Sequence, residues 1–231
     1  LKTLEETDQE AVIIFVSDHG DMLGERGLWF KMSFFEGSAR VPLMISASSM
    51  SSQVINSPVS TIDLCPTICE MAGVTMPEVT PWITGESLCG IMRAEKRQNP
   101  VLMEYAAEAS HAPMVCIRKD RWKYIFCSLD PEQLFDLDKD PHELDNLIEK
   151  NDYKSTVQFF RETTGATWNL DRFDQNVRES QAKRKVVYEA LRKGGYYPWD
   201  FQPLKQASER YMRNHMDLNI LESSQRYPSS D

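Results

Sequence analysis

The sequence predicts a mixed α/β fold: an α/β part first, a small antiparallel β-sheet after it, and an extended tail at the end. Three observations predict it. Ala11–Val16 is a continuous apolar run rich in β-branched residues, the pattern of a strand covered on both faces in a parallel sheet. Ile62, Leu64, Ile68 and Met71 recur at helical spacing. From Val101 onward, short apolar runs alternate with turn residues, the texture of an antiparallel sheet.

Taken in order, the first strand runs into Ser17-Asp18-His19-Gly20. Ligand groups in open α/β sheets gather just past the carboxyl ends of such strands. Asp18 offers hard anionic oxygen suited to Ca²⁺, Mg²⁺ or Mn²⁺, and His19 can complete a metal shell or hold an anionic oxygen. Gly20, Gly24 and Gly27 free the backbone to bend, so that Lys31, behind the aromatic pair Trp29-Phe30, can return to the same place. Together these residues outline a metal and oxyanion site.

Val41–Ser46 reads as a second short buried strand, and residues 48–52 as a loop. Ser60 with Asp63 three residues on resembles a capping pair for the helix that follows, and Gly73 stops it. The sheet is expected from VLMEYA, from MVCIRKDRWKYIF with a turn at Lys119-Asp120, and from EQLFDLDKDPHELDNL. Asp136, Asp138, Asp140 and Glu143 superficially suggest a calcium loop. Their spacing lacks the Gly and the terminal Glu of an EF-hand, so a turn leading into a helix at Pro141 is the expectation. Polar helices follow at about Tyr153–Thr163 and Phe173–Lys193. In the tail, Tyr196, Tyr197, Trp199 and Phe201 crowd around Pro198 and Pro203, too many aromatics to leave in water.

The formal charge of -9 over 231 residues argues against a nucleic-acid surface, and no segment approaches a membrane-spanning apolar run. Leu1–Gln9 looks like the end of a polar helix belonging to something longer, so the chain is expected to be part of a larger protein. Five cysteines in an odd count, without zinc-type CxxC pairs, point to reduced thiols in a cytoplasmic compartment.

The string from the first strand through S-D-H-G, M-L-G-E-R-G and Trp29-Phe30 to Lys31 resembles the second metal-binding segment of the sulfatases, within the alkaline-phosphatase superfamily. The resemblance implies the C-terminal part of the sulfatase α/β sandwich, with Asp18 and His19 as metal ligands and Lys31 contacting the sulfate and assisting the leaving oxygen. Sulfatases use a formylglycine nucleophile made from Cys or Ser in a C/S-x-P/A-x-R motif. That motif is absent here: Cys89-Gly-Ile-Met-Arg93 carries Ile91 where Pro or Ala is required. Arg26 could see the anion, although a structural role is the expectation.

The segment A-L-R-K-G-G-Y-Y-P-W-D-F-Q-P with S-E-R-Y-M-R-N-H-M-D-L looks like the C-terminal extension of choline-sulfatases, and that likeness extends over essentially the whole chain. It implies hydrolysis of choline sulfate, a divalent metal (Ca²⁺ or Mn²⁺), and a homo-oligomer whose tails are exchanged between subunits. A quaternary ammonium is held by aromatic faces and carboxylates. Glu108, in the small-residue run after Val101–Tyr105, is the first candidate for it, joined by Trp199, Asp200 and Asp217 of the tail. The implied division is 1–98 for the catalytic α/β part, 99–193 for the sheet and helices, and 194–231 for the tail. The alternatives are an arylsulfatase or phosphonate monoester hydrolase of the same fold, or an inactive remnant that acts as an interaction module through its tail.

Overall fold

A computed structural model of the chain describes residues 10–48, 50–75, 83–108 and 110–193, with the backbone alone at 192. The chain divides into two compact units after Gln175. The α/β part and the antiparallel sheet therefore both belong to the first unit.

Strand β1 (Ile13–Val16) forms where the apolar run lies, but its neighbour is antiparallel rather than parallel. It pairs with β4 (Leu43–Ser46), with Ile13 opposite Ser46 and Val16 opposite Leu43. Facing residues of an antiparallel pair share a side of the sheet. Phe15 and Met44 are such a pair, and they are 56% and 59% exposed, so the expected cover on both faces is not met among the described residues. An apolar run states that a strand calls for cover; it does not state which way its neighbour runs. Between these strands lie a two-stranded hairpin, β2 (Met22–Leu23) with β3 (Trp29–Phe30), and a single helical turn, α1 (Glu36–Ala39).

The helix α2 (Leu64–Met71) follows a 3₁₀ turn at Thr61–Asp63. The Ser60 and Asp63 capping box forms, with the Ser60 backbone N–H donating to Asp63 Oδ2 at 2.8 Å. Fully buried Asp63 also accepts from the Glu86 backbone N–H at 2.9 Å and from Arg97 Nη1 at 2.7 Å. Every lone pair of that buried carboxylate that can be reached is used, which offsets the cost of its burial. Gly73, at φ +66°, closes the helix in the left-handed conformation that glycine tolerates best. A second single turn, α3 (Cys89–Met92), holds the buried Cys89.

The antiparallel sheet forms in the order β5 (Val101–Tyr105), β6 (Met114–Lys119), β7 (Trp122–Cys127) and β8 (Asp130–Asp136). The turn between β6 and β7 falls at Asp120, at φ +49°. On one face of the sheet, Ile117, Tyr124 and Leu134 pack with Leu147 and with Val157 and Phe160 of α4 (Lys154–Thr167). Tyr124 stacks on Phe160 at 5.5 Å between ring centroids. Burial of each large side chain contributes roughly 1.5–3 kcal/mol, so this cluster is a major source of the first unit's cohesion.

α4 runs to Thr167, beyond the expected end at Thr163, because Gly165 is carried through and the helix stops only where Trp168 turns extended. There the Trp168 indole N–H donates to Glu104 Oε1 on β5 at 2.6 Å. α5 (Leu170–Lys193) starts three residues before its expected start at Phe173. The helix expected at Pro141 is absent. Successive turns occupy 136–143, Asp140 Oδ2 accepts the Asp145 backbone N–H, and Glu143 sits at φ +57°, a conformation that ends any helix there. No helix of the described residues is long and apolar enough to cross a membrane.

Candidate active site

Asp18 and His19 stand immediately after β1, held by a web of short local bonds. The Ser17 hydroxyl donates to the His19 carbonyl at 2.8 Å, and the His19 backbone N–H donates to Asp18 Oδ1 at 3.0 Å. That backbone N–H is the main reason the Asp18 carboxyl is held below the usual carboxylate range, and the charge of Lys31 acts in the same direction. The Lys31 ammonium is near enough for its charge to be felt at Asp18.

The orientation of His19 is informative. Its Nδ1 lies 2.9 Å from the Gly20 carbonyl, which assigns the ring proton to Nδ1 as a donor. Nε2 then presents a lone pair 3.4 Å from Asp18 Oδ2. An imidazole anchored by a backbone carbonyl, with its free nitrogen beside a carboxylate oxygen, has the arrangement of a metal-ligating histidine. The Asp18 side chain is 85% exposed and that of His19 36%, so both donors are open to an ion. The donor set, one hard oxygen and one imidazole, fits a divalent cation. It is a partial shell, since no group of three or more metal-binding side chains exists among the described residues.

Lys31 follows the β2–β3 hairpin, where Phe30 adopts φ +66°. Its carbonyl accepts from the Ser38 hydroxyl at 2.7 Å and from the Ser33 backbone N–H at 2.8 Å, while its ammonium remains exposed. Arg26 turns to the scaffold: its guanidinium donates to the carbonyls of His142 and Glu143 and lies 4.1 Å from the centre of the Phe35 ring. Glu108 stands apart, on the exposed loop after β5, where the Tyr105 hydroxyl donates to its carbonyl at 2.8 Å. Trp199, Asp200 and Asp217 lie outside the described residues. Cys89 is buried in α3 and Arg93 pairs with Glu70 and Glu95, so neither serves this site.

Sequence reasoning passed over the cluster behind the site. Lys123, 1% exposed as the second residue of β7, donates to the Phe34 carbonyl at 2.6 Å, to Glu36 Oε1 at 2.6 Å and to Glu143 Oε1 at 2.8 Å. A lysine flanked by Trp122 and Tyr124 within a strand was the available signal. Burial raises the neighbouring Cys116 thiol to about 12, with the carboxylates of Glu143 and Glu36 adding to the shift against the opposing effect of Lys123.

Comparison with known proteins follows the same lines. The family profile described as N-sulphoglucosamine sulphohydrolase, C-terminal, matches residues 24–166, more than half of the chain, and the one described as Choline sulfatase enzyme C terminal matches residues 175–227. A choline-sulfatase of Rhizobium meliloti (strain 1021) is 57% identical over 96% of this chain and 44% of its own length. Arylsulfatase K of Gallus gallus is 29% identical over 81% of this chain and 37% of its own length. The chain thus spans less than half the length of these curated relatives. Among solved structures, a 2-O GAG sulfatase aligns with a TM-score of 0.58 at 25% identity, covering 74% of this chain and 38% of that one. The phosphonate monoester hydrolase of Agrobacterium radiobacter aligns with a TM-score of 0.57 at 26% identity, covering 70% and 36%. A profile match over more than half of the chain, on a fold that carries a four-stranded antiparallel sheet, places the chain in the sulfatase family.

Proposed function

We propose that this chain is the C-terminal part of a choline-sulfatase and supplies Asp18, His19 and Lys31 to its active site. The observation that carries the choice among sulfatases is the match of residues 175–227 to the choline-sulfatase C-terminal profile, alongside 57% identity to a choline-sulfatase. A divalent ion, Ca²⁺ or Mn²⁺, would be held by Asp18 and His19 with donors from outside the described residues and would neutralise sulfuryl oxygen charge, while a formylglycine from the rest of the enzyme would supply the nucleophile. Asp18 binds as an anion at neutral pH, kept ionised by the His19 backbone N–H. His19 is oriented through its Nδ1–H on the Gly20 carbonyl. The Lys31 ammonium binds a sulfate oxygen and donates a hydrogen bond to the departing alkoxide, where charge develops.

Choline leaves with a permanent positive charge. Glu108 supplies a carboxylate for it, and Trp199, with Asp200 and Asp217, supplies an aromatic face and further negative charge from the tail. The tail would also join subunits of a homo-oligomer. The divisions 1–98, 99–193 and 194–231 are the working units of this reading, and five free thiols are consistent with a cytoplasmic enzyme.

Steady-state kinetics on choline sulfate and an aryl sulfate test the assignment. A desolvated cation held this way is worth about 2 kcal/mol, so Glu108→Gln should raise KM for choline sulfate roughly 30-fold and leave the aryl sulfate little changed. Proportionate loss of both activities would remove Glu108 from the choline pocket. The likeness to a phosphonate monoester hydrolase favours one second reading, a broader hydrolase of this fold. Preference for an aryl sulfate or phosphonate over choline sulfate would select it.

A further inference from the structure

We propose that Lys123, Glu143 and Glu36 form a buried positioning element that sets Lys31 against the Asp18–His19 pair. The role given to Lys31 rests on the sulfatase reading above; the placement itself rests on contacts within the chain.

All three donors of the Lys123 ammonium are matched, by Phe34 O, Glu36 Oε1 and Glu143 Oε1. Glu143 spends its other oxygen on the Glu36 backbone N–H at 2.7 Å. These bonds clamp the first residue of α1, by its side chain to Lys123 at the start of β7 and by its backbone to Glu143. The clamp extends to the site in one helical turn. The Ser38 hydroxyl holds the Lys31 carbonyl at 2.7 Å, and the Ser38 carbonyl accepts the Gly20 backbone N–H at 2.8 Å. Gly20 is pressed against α1 so closely that a Cβ there would lie 2.2 Å from the Gly37 carbonyl oxygen. Ser38 of α1 therefore ties Lys31 to the Asp18–His19 turn, and loosening α1 releases the restraint that holds the two together.

Cohesion alone gives little reason for such a group. Burying an ion pair costs desolvation that its attraction barely repays, and an apolar replacement holds a core as well or better. An apolar side chain cannot fix a carbonyl, a carboxylate and a backbone N–H at three defined points. Arg26 adds a second strap to the same place, reaching from the hairpin loop onto the Glu143 carbonyl and the Phe35 ring.

The test uses the complete sulfatase that includes this chain. Lys123→Met alone would strand two carboxylates, so the paired variant Lys123→Met/Glu143→Gln is used, with Glu36, the most exposed of the three, left to reach water. Support of this kind behind a metal site typically contributes 10- to 100-fold. We expect kcat for choline sulfate to fall by about that factor, with KM within about threefold and the melting transition retained. In a Lys31→Ala background, the same pair of changes should cost less than about threefold more, because the element acts through Lys31. A full additional loss in that background would make the trio merely structural and overturn the proposal. Hydrogen exchange on the same protein decides independently of turnover. The Gly20 amide should lose protection at least about tenfold while Ile117 and Tyr124 keep theirs. Unchanged Gly20 protection would overturn the proposal even if the wild type proved to hydrolyse no sulfate ester, an outcome that would sink the sulfatase reading instead.

Discussion

The four-stranded sheet and the Asp18 turn are built on opposite plans. The sheet buries Ile117, Tyr124 and Leu134 under a helix of its own unit. The β1–β4 pair that carries Asp18 and His19 leaves Phe15 and Met44 bare, and the adjoining hairpin leaves Trp29 and Phe30 59% and 63% exposed. The Asp18 turn is therefore held by polar anchoring more than by packing. Local bonds around Ser17 and His19 set the turn, and long-range bonds to Lys123 and Glu143 tie the loop to the sheet. A protein arranged this way can lose function at the loop while its fold persists, and can lose its fold at the sheet with the loop chemically intact.

The largest effect should come from the sheet side. Phe160→Ala removes a ring stacked on Tyr124 and edge-on to Phe159, and should cost about 3–5 kcal/mol in denaturant unfolding. A cost below 1 kcal/mol would mean that the sheet cluster is no firmer than the loop. Next, in the complete enzyme, Lys31→Ala should lower kcat for choline sulfate by about 100-fold or more, in the range seen when one charge-stabilising donor is removed. Its melting temperature should stay close to that of the wild type, since the Lys31 side chain is exposed. Equal losses on an activated aryl sulfate would replace leaving-group assistance by general anion binding.

Smaller effects sharpen the same contrast. In the isolated chain, Phe15→Ser should change stability by less than about 0.5 kcal/mol, as surface substitutions do. A large loss would show that this face is covered after all. The smallest effect near neutral pH concerns Cys116. Its thiol is raised to about 12 in the folded chain against an ordinary 9, so the folded state holds its proton more tightly than the unfolded one. The associated stability is fully present below pH 9 and is lost as pH rises toward 12. Urea unfolding midpoints should thus decline over that interval. At pH 8, alkylation should reach exposed Cys65 well before buried Cys116.

What could be read from the sequence was local. The capping pair Ser60 and Asp63, the stop at Gly73 and the turn at Asp120 each depend on neighbours a few residues away, and each formed as expected. What could not be read was pairing at a distance. The direction of the partner of β1 depends on Leu43–Ser46, and the fate of Pro141–Glu143 depends on a lysine in another strand. A short acidic stretch after a proline looks like the start of a helix until Lys123 draws the Glu143 side chain inward.

Glu143 also has a consequence for how this position tolerates change. Its backbone sits at φ +57°, where a residue other than glycine loses about 1–2 kcal/mol. Its carboxylate is the meeting point of the Lys123 ammonium and the Glu36 backbone N–H. Main chain and side chain thus vote for different amino acids, glycine for the one and glutamate for the other. In a saturation library, no single replacement can satisfy both, and the two demands can be met separately only if the turn is rebuilt around them. A designer seeking to stabilise this protein would do better to leave residue 143 untouched and work on the exposed face beside Phe15 and Met44.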